Sequence, residues 1–241
     1  MSDIKNIIDK IKSAGYWYIN FYPLKPIENR IPSRTECKRL IEETRVNLRG
    51  WDYPHFPIRQ DSNSQIYFGP DYVEASVDWW AQKEAWRYYQ SGQFIHYLGI
   101  NEDWFVDNKW AEDYLKNIKP GTVLSVINTI YTVTEIFEFI RRLTERGLYD
   151  DGLNINIILF GISDRKLVIF DPNRVPLGDD YKAHVNQLPW FKQISKNEML
   201  IKSEEISFSL ICFIFETFNW ERIPKAVIKE DQRKFLQRRE V

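Results

Sequence analysis

Three aromatic, β-prone runs follow one another between residues 72 and 100, and no other stretch of the chain restricts its fold as much. Residues 72–80, 84–89 and 93–100 are rich in the side chains that suit a pleated, half-buried surface. Ser91-Gly92 supplies a tight turn between the last two. Strands joined by turns this short pair antiparallel. Alternation then places Trp86 and Tyr88 on one face of the middle strand and Arg87 and Tyr89 on the other. A helical reading of residues 78–89 competes, because Ala81-Gln82-Lys83-Glu84-Ala85 is helix-tolerant.

The elements around this meander follow from periodicity and punctuation. Ile4, Ile7, Ile8 and Ile11 make a helical stripe that stops at Gly15. Residues 16–22 read as a strand ended by Pro23 and Pro26. Ser33 with Glu36 has capping-box spacing and opens a helix that ends near residues 44–45. A short strand over 46–51 and an exposed loop over 52–69 follow. Residues 104–116 read as a short helix and 123–130 as a strand. Thr132 with Glu135 reads as a second capping box, opening a helix over 133–146. Residues 154–161 and 166–171 read as a hairpin closed by Ile162-Ser163-Asp164-Arg165. The stretch 175–197 is loop-rich, 204–219 is a core helix behind a Ser203 cap, and 229–239 is polar.

These elements interleave without regular βαβ spacing. The expected fold class is α+β, a mostly antiparallel sheet packed against two or three helices. The loop over 52–69 is too short to mark a boundary, so residues 1–241 read as one domain, with 222–241 a polar C-terminal helix or tail.

Composition narrows the function classes. A net charge of -1 argues against a strongly basic nucleic-acid-coating protein. Nine tryptophans within 15% aromatics call for an aromatic core or a face that grips something flat or apolar. Cys37 and Cys212 form no disulfide framework and no zinc motif. No signal peptide or membrane-spanning run is read, so a cytoplasmic location and no membrane partner are expected.

The chain has no glycine-rich phosphate loop and no nucleophile elbow. His55, His96 and His184 form no metal-binding pair, and neither metal nor cofactor is expected. Asp164-Arg165-Lys166 has the acid-x-Lys spacing of some metal-dependent nucleases, but it falls at a turn, where turn chemistry alone accounts for Asp164. Arg141, Arg142 and Arg146, and the basic C-terminal residues, suit either a solvated face or nucleic acid. Trp86, Arg87, Tyr88 and Tyr89 suit either core packing or base stacking.

The tightest concentration of chemistry is Arg49-Gly50-Trp51-Asp52-Tyr53-Pro54-His55. Gly50 permits a backbone geometry closed to other residues. Arg49 and Asp52 either bind each other and close the loop, or face a ligand. This run, with Trp86-Arg87-Tyr88-Tyr89-Gln90-Ser91-Gly92-Gln93-Phe94-Ile95-His96, resembles an uncharacterised bacterial family. Its members are described as hypothetical proteins, or loosely as DNA-binding or ATP-binding. The resemblance extends over residues 16–171 and takes in Thr132-Val133-Thr134-Glu135-Ile136. It implies no catalytic residues, and the ATP-binding description finds no phosphate loop here.

The reading is a non-catalytic binding or interaction module of a multi-component bacterial system, with a protein partner and with nucleic acid left open. Its candidate binding residues are Arg49, Trp51, Asp52, Tyr53, His55, Arg87, Tyr89 and His96. The alternatives are a metal-dependent nuclease or other hydrolase, marked by converging acids from Asp78, Glu84, Asp164 or Asp171, and a structural subunit of a larger complex. The oligomeric state is left open.

Overall fold

The computed structural model describes residues 3–58, 63–107 and 113–238. In chain order its elements are α1 (Asp3–Lys12), β1 (Tyr16–Pro23), α2 (Arg34–Thr44), β2 (Ser64–Phe68), β3 (Tyr72–Trp79), β4 (Gln82–Tyr89), β5 (Phe94–Gly99), a 3-10 segment (Asn101–Asp107), α3 (Asp113–Lys116), β6 (Val123–Ser125), α4 (Val126–Glu145), β7 (Leu153–Phe160), β8 (Lys166–Val168), β9 (Gln187–Ile194), α5 (Lys196–Thr217) and α6 (Lys225–Leu236). Seven strands form one sheet in the order β2-β3-β4-β5-β1-β7-β9, and every neighbouring pair is antiparallel. The expected α+β class is therefore the observed one. The meander forms as read, with Gly92 at φ +85° in its second turn. The helical alternative for residues 78–89 loses to a tight turn at Trp80-Ala81, where Trp80 takes φ +38°.

The inner face of the sheet packs on helices. Trp17, Ile19 and Phe21 of β1, Trp86 and Tyr88 of β4, and Phe94 of β5 join the core with Phe137, Phe139 and Ile140 of α4 and Leu210 and Phe215 of α5. Phe94 and Phe139 meet at 5.2 Å, and Phe21 and Phe94 stack at 5.0 Å. The aromatic content is thus largely core packing, where such rings bury the most area. On the outer face, α1 covers only one half: Ile4 and Ile11 pack on Ala85, with Tyr16 and Tyr97 alongside.

Several local expectations are corrected. Residues 46–51 form no strand; Val46 makes a lone bridge to Tyr53. The loop over 52–69 contains β2, and its residues 59–62 lie outside the described residues. The strand over 123–130 ends at Ser125, whose hydroxyl accepts from the Asn128 backbone at 3.2 Å and starts α4. Thr132 is therefore a mid-helix residue and no cap. The Ile127-Ile130 pattern looked strand-like because β-branched residues serve a buried helix as well. Helix α5 is capped eight residues before the expected Ser203: Ser195 and Glu198 form a complete capping box. The stretch 175–197 holds β9. Of the helix over 104–116, residues 108–112 lie outside the described residues, as does Arg239 of the tail.

The hairpin of residues 154–161 with 166–171 does not form. Strand β8 pairs in parallel with β6, and β9 takes the free edge of β7 from Leu153↔Ile194 to Phe160↔Gln187. Arg165, just before β8, is held away from β7. Its guanidinium is 1% exposed and grips both oxygens of Asp103 in the 3-10 segment, with 2.7 Å between Nη1 and Oδ1. Asp103 in turn accepts from the Gly15 and Gly121 backbone amides at 2.8 Å each. The turn itself closes, with the Arg165 amide donating to Ile162 at 3.2 Å, but the buried ion pair anchors Arg165 beside the 3-10 segment, where β8 meets β6.

Candidate functional site

The Arg49-to-His55 run enters a loop that folds over the inner face of the sheet. Gly50 sits at φ +77° with open space around its Cα, so the conformation alone excludes other residues. Arg49 and Asp52 do not bind each other. Arg49 reaches α4, where its Nη2 donates to Glu135 Oε2 at 2.7 Å and to Thr132 Oγ1 at 3.3 Å. Asp52 accepts from Arg45 at 2.8 Å and from the Phe56 backbone at 3.1 Å, and its other oxygen lies 2.5 Å from His55 Nδ1. The Trp51 ring stacks on His55 at 4.0 Å and its indole donates to Glu84 at 3.0 Å.

Glu84, at the start of β4, is the hub. It accepts from Trp51, from the His55 backbone at 3.1 Å, and faces His96 Nε2 at 3.0 Å. His96 Nδ1 lies 3.2 Å from the Tyr53 hydroxyl. Six of the eight candidate residues therefore converge: Arg49, Trp51, Asp52, Tyr53, His55 and His96. The other two, Arg87 and Tyr89, lie across the sheet on its outer face, where Arg87 binds Glu74 at 2.6 Å and sits 4.1 Å from the centre of the Tyr72 ring.

The loop closes a cleft floored by Trp17, Leu98, Ile100 and Leu124 and walled by the first turns of α4. Four carboxylates and one guanidinium line it: Asp52, Glu84, Glu102 and Glu135 against Arg49. Their environments separate them. Burial pushes Glu84 up, but the hydrogen bond and charge of His96, with His55 and Trp51, bring it below the usual carboxylate range. Asp52 goes the same way, burial being outweighed by His55, Phe56 and Arg45. Burial drives Glu135 up to about 7 despite Arg49, with Glu84 and Asp52 adding to the rise. Burial also raises Glu102, against the help of Asn128 and the Ser125 backbone.

Sequence reasoning missed Glu102, Asn128 and Thr129, and placed Glu135 in a cap. A signal existed: Asn128, Thr132 and Glu135 fall at helical spacing on one face of an otherwise apolar helix. It was hidden by the misplaced start of α4.

Among the described residues, no three His, Cys, Asp or Glu side chains gather as metal ligands. The acids that would mark a metal-dependent enzyme are dispersed: Asp78 pairs with Lys10 at 2.8 Å and Lys83 at 2.9 Å, Asp164 occupies a turn at φ +60°, and Asp171 caps the Asn173 backbone at 2.9 Å. Both cysteines are buried, and burial pushes the Cys37 thiol up to about 12. The basic residues of α4 are bound within the fold: Arg141 to Glu138 and Glu145, Arg142 to Glu138, and Arg146 to Glu43.

A second surface was legible only in part. The outward positions of β1, β7 and β9 carry Tyr16, Tyr18, Asn20 and Tyr22; Asn154, Asn156, Ile158 and Phe160; and Gln187, Pro189, Phe191 and Gln193. All are half-buried or exposed. Tyr16 stacks on Phe160 at 4.7 Å, Tyr18 meets Tyr97 at 5.2 Å, and Gln93 donates to Asn20 at 3.0 Å. Phe191 is 66% exposed and Tyr22 40%. No acid or base occupies any of these twelve positions. Asn156 Oδ1 is closed off from water and accepts no hydrogen bond.

Comparison of the chain with family models, with curated proteins and with solved structures finds no match in any of the three. Among the described residues, no helix is long and apolar enough to cross a membrane.

Proposed function

We propose that the protein acts by binding another protein, through the uncharged aromatic and amide face of β1, β7 and β9. The observation that carries this reading is the composition of that face. Protein interfaces are enriched in aromatic residues and depleted of charge at their centre. Nucleic-acid interfaces are instead strongly positive, because phosphate contacts dominate their affinity. A face with twelve neutral positions, five of them aromatic, fits the first description. The site is read as cytoplasmic and as part of a multi-component bacterial system, in keeping with the family resemblance.

The test places a charge on the face. Phe191→Asp and Asn154→Lys are made in the native host beside a control on the opposite side, Lys229→Glu. Native complexes are compared by gel filtration and by cross-linking at the exchanged positions. The expected result is loss of a larger complex for both face variants and not for the control, with circular dichroism unchanged. Co-purification of nucleic acid that weakens steeply with salt and survives both face variants would overturn the reading.

A further inference from the structure

Two oxygens in the inner cleft are sealed from water and have nothing to bind, Glu135 Oε1 and Thr129 Oγ1. We propose that the cleft is a binding site for the ammonium head of a primary amine, recruited by these unpaired acceptors. The inference is independent of the outer face.

Charge selects the sign of the ligand. Four carboxylates line the cleft with a single guanidinium, which is already bound to Glu135 Oε2 and Thr132, while Asp52 and Glu84 find Arg45 and His96 outside the lining. An anion would meet unscreened repulsion here, since the low local dielectric magnifies each charge. Room selects its size. The cavity is about 20 Å³, enough for roughly one water-sized group. An –NH3+ head has that size and brings three donors, while both orphan oxygens can accept. A guanidinium or a quaternary ammonium is too large, and the latter donates nothing. Divalent metal ions lack their ligands, because no three ligating side chains gather among the described residues. The walls suit a carbon tail: Trp17, Trp51, Leu98 and Leu124 line the same cleft, and indole faces attract cations.

The chemistry also carries a signature. Glu135 sits near the middle of its titration at neutral pH, raised by burial and by Glu84 and Asp52 against Arg49. An ammonium beside Oε1 favours the ionised carboxylate, so binding releases a proton from Glu135. Glu102, also raised by burial, faces the same space.

The experiment uses the full chain and calorimetric titration with ammonium chloride, n-butylamine hydrochloride and Nα-acetyl-lysine methylamide. Sodium chloride and tetramethylammonium chloride at equal ionic strength are the controls. Saturable binding is expected for the first three only, with a heat that depends on the ionisation enthalpy of the buffer. Thr129→Val removes one acceptor and is expected to weaken binding by about 10-fold or more. Glu135→Gln is expected to abolish both the binding and the buffer dependence. Should Glu135→Gln fail to fold, the Thr129→Val titration decides. Tighter binding of the lysine derivative than of butylamine assigns the ammonium to a protein side chain, and the reverse order assigns it to a free amine. No saturable heat with any amine, an equal response to sodium or tetramethylammonium, or undiminished binding in Thr129→Val overturns the proposal and leaves water as the occupant.

Discussion

The two faces of β5 differ more than any two separate regions of the molecule. His96 and Leu98 turn inward, to a cleft crowded with carboxylates. Ile95 and Tyr97 turn outward, to rings and the tail of Lys12, 4.8 Å from the Tyr97 ring centre. The inner side is buried and acidic, and most of its polar groups are paired within the fold; the outer side is more open, with aromatic rings and fewer carboxylates. The contrast teaches where change is costly. A buried charge holds its partners through desolvation, so removing one strands the rest. An exposed ring contributes to stability only through the part of its area that is already covered.

The comparison can be broken at four points. The largest effect is expected for Glu84→Ala. It strands His96, the Trp51 indole and the His55 amide, at a cost of about 3–5 kcal/mol by chemical denaturation. A loss below about 1 kcal/mol would show that the inner network is not wired as described.

Next comes the pH response of Glu135→Gln. The folded carboxyl of Glu135 is raised from 4.5 to about 7. Its contribution to stability is therefore full below the unfolded value and is lost as pH rises through the folded one, with a slope of up to about 1.4 kcal/mol per pH unit. The glutamine variant does not titrate, so it should lose this decline and gain on the wild type at alkaline pH. Asp52 and Glu84 run the other way. Both are lowered, so the stability they confer is present above their ordinary values and is lost on acidification. Thermal melts of both proteins across this range check the sign.

Arg87→Ala should cost about 1 kcal/mol. The guanidinium is a third exposed and screened, but Glu74 beneath it is nearly buried. The smallest effect belongs to the outer face: Phe191→Asp should change monomer stability by about 0.5 kcal/mol or less, while removing the association proposed for it. Destabilisation comparable to Glu84→Ala would mean that the outer face is structural.

How much of this was legible in the sequence depended on range. The meander and the edges of α1, α2 and β1 rest on local alternation and turn residues, and they were readable. The α+β class followed from them. What was not readable depends on distant partners. Arg165 looked like a turn residue until Asp103, 62 positions away, claimed it. Thr132 and Glu135 had the spacing of a cap, yet Ser125 starts the helix and frees them to meet Arg49. The convergence of Arg49, Trp51, Asp52, Tyr53 and His55 was legible as a cluster, because it is local. Its counterpart on α4 was not. The outer face was half legible: alternation put Arg87 and Tyr89 outside, but the open half is built by β7 and β9, and the second of these lay within a stretch read as loop.

The strict alternation along β5 and β1 has an evolutionary consequence. Adjacent codons serve unrelated surfaces, so a map of tolerated substitutions through residues 94–98 should be striped with a period of two. Inserting a single residue at the start of β5 would exchange its two surfaces, turning the Tyr97 phenol into the acidic cleft and His96 to the outer face. Drift in this segment is therefore free to proceed by replacement, one stripe at a time, and closed to change in length.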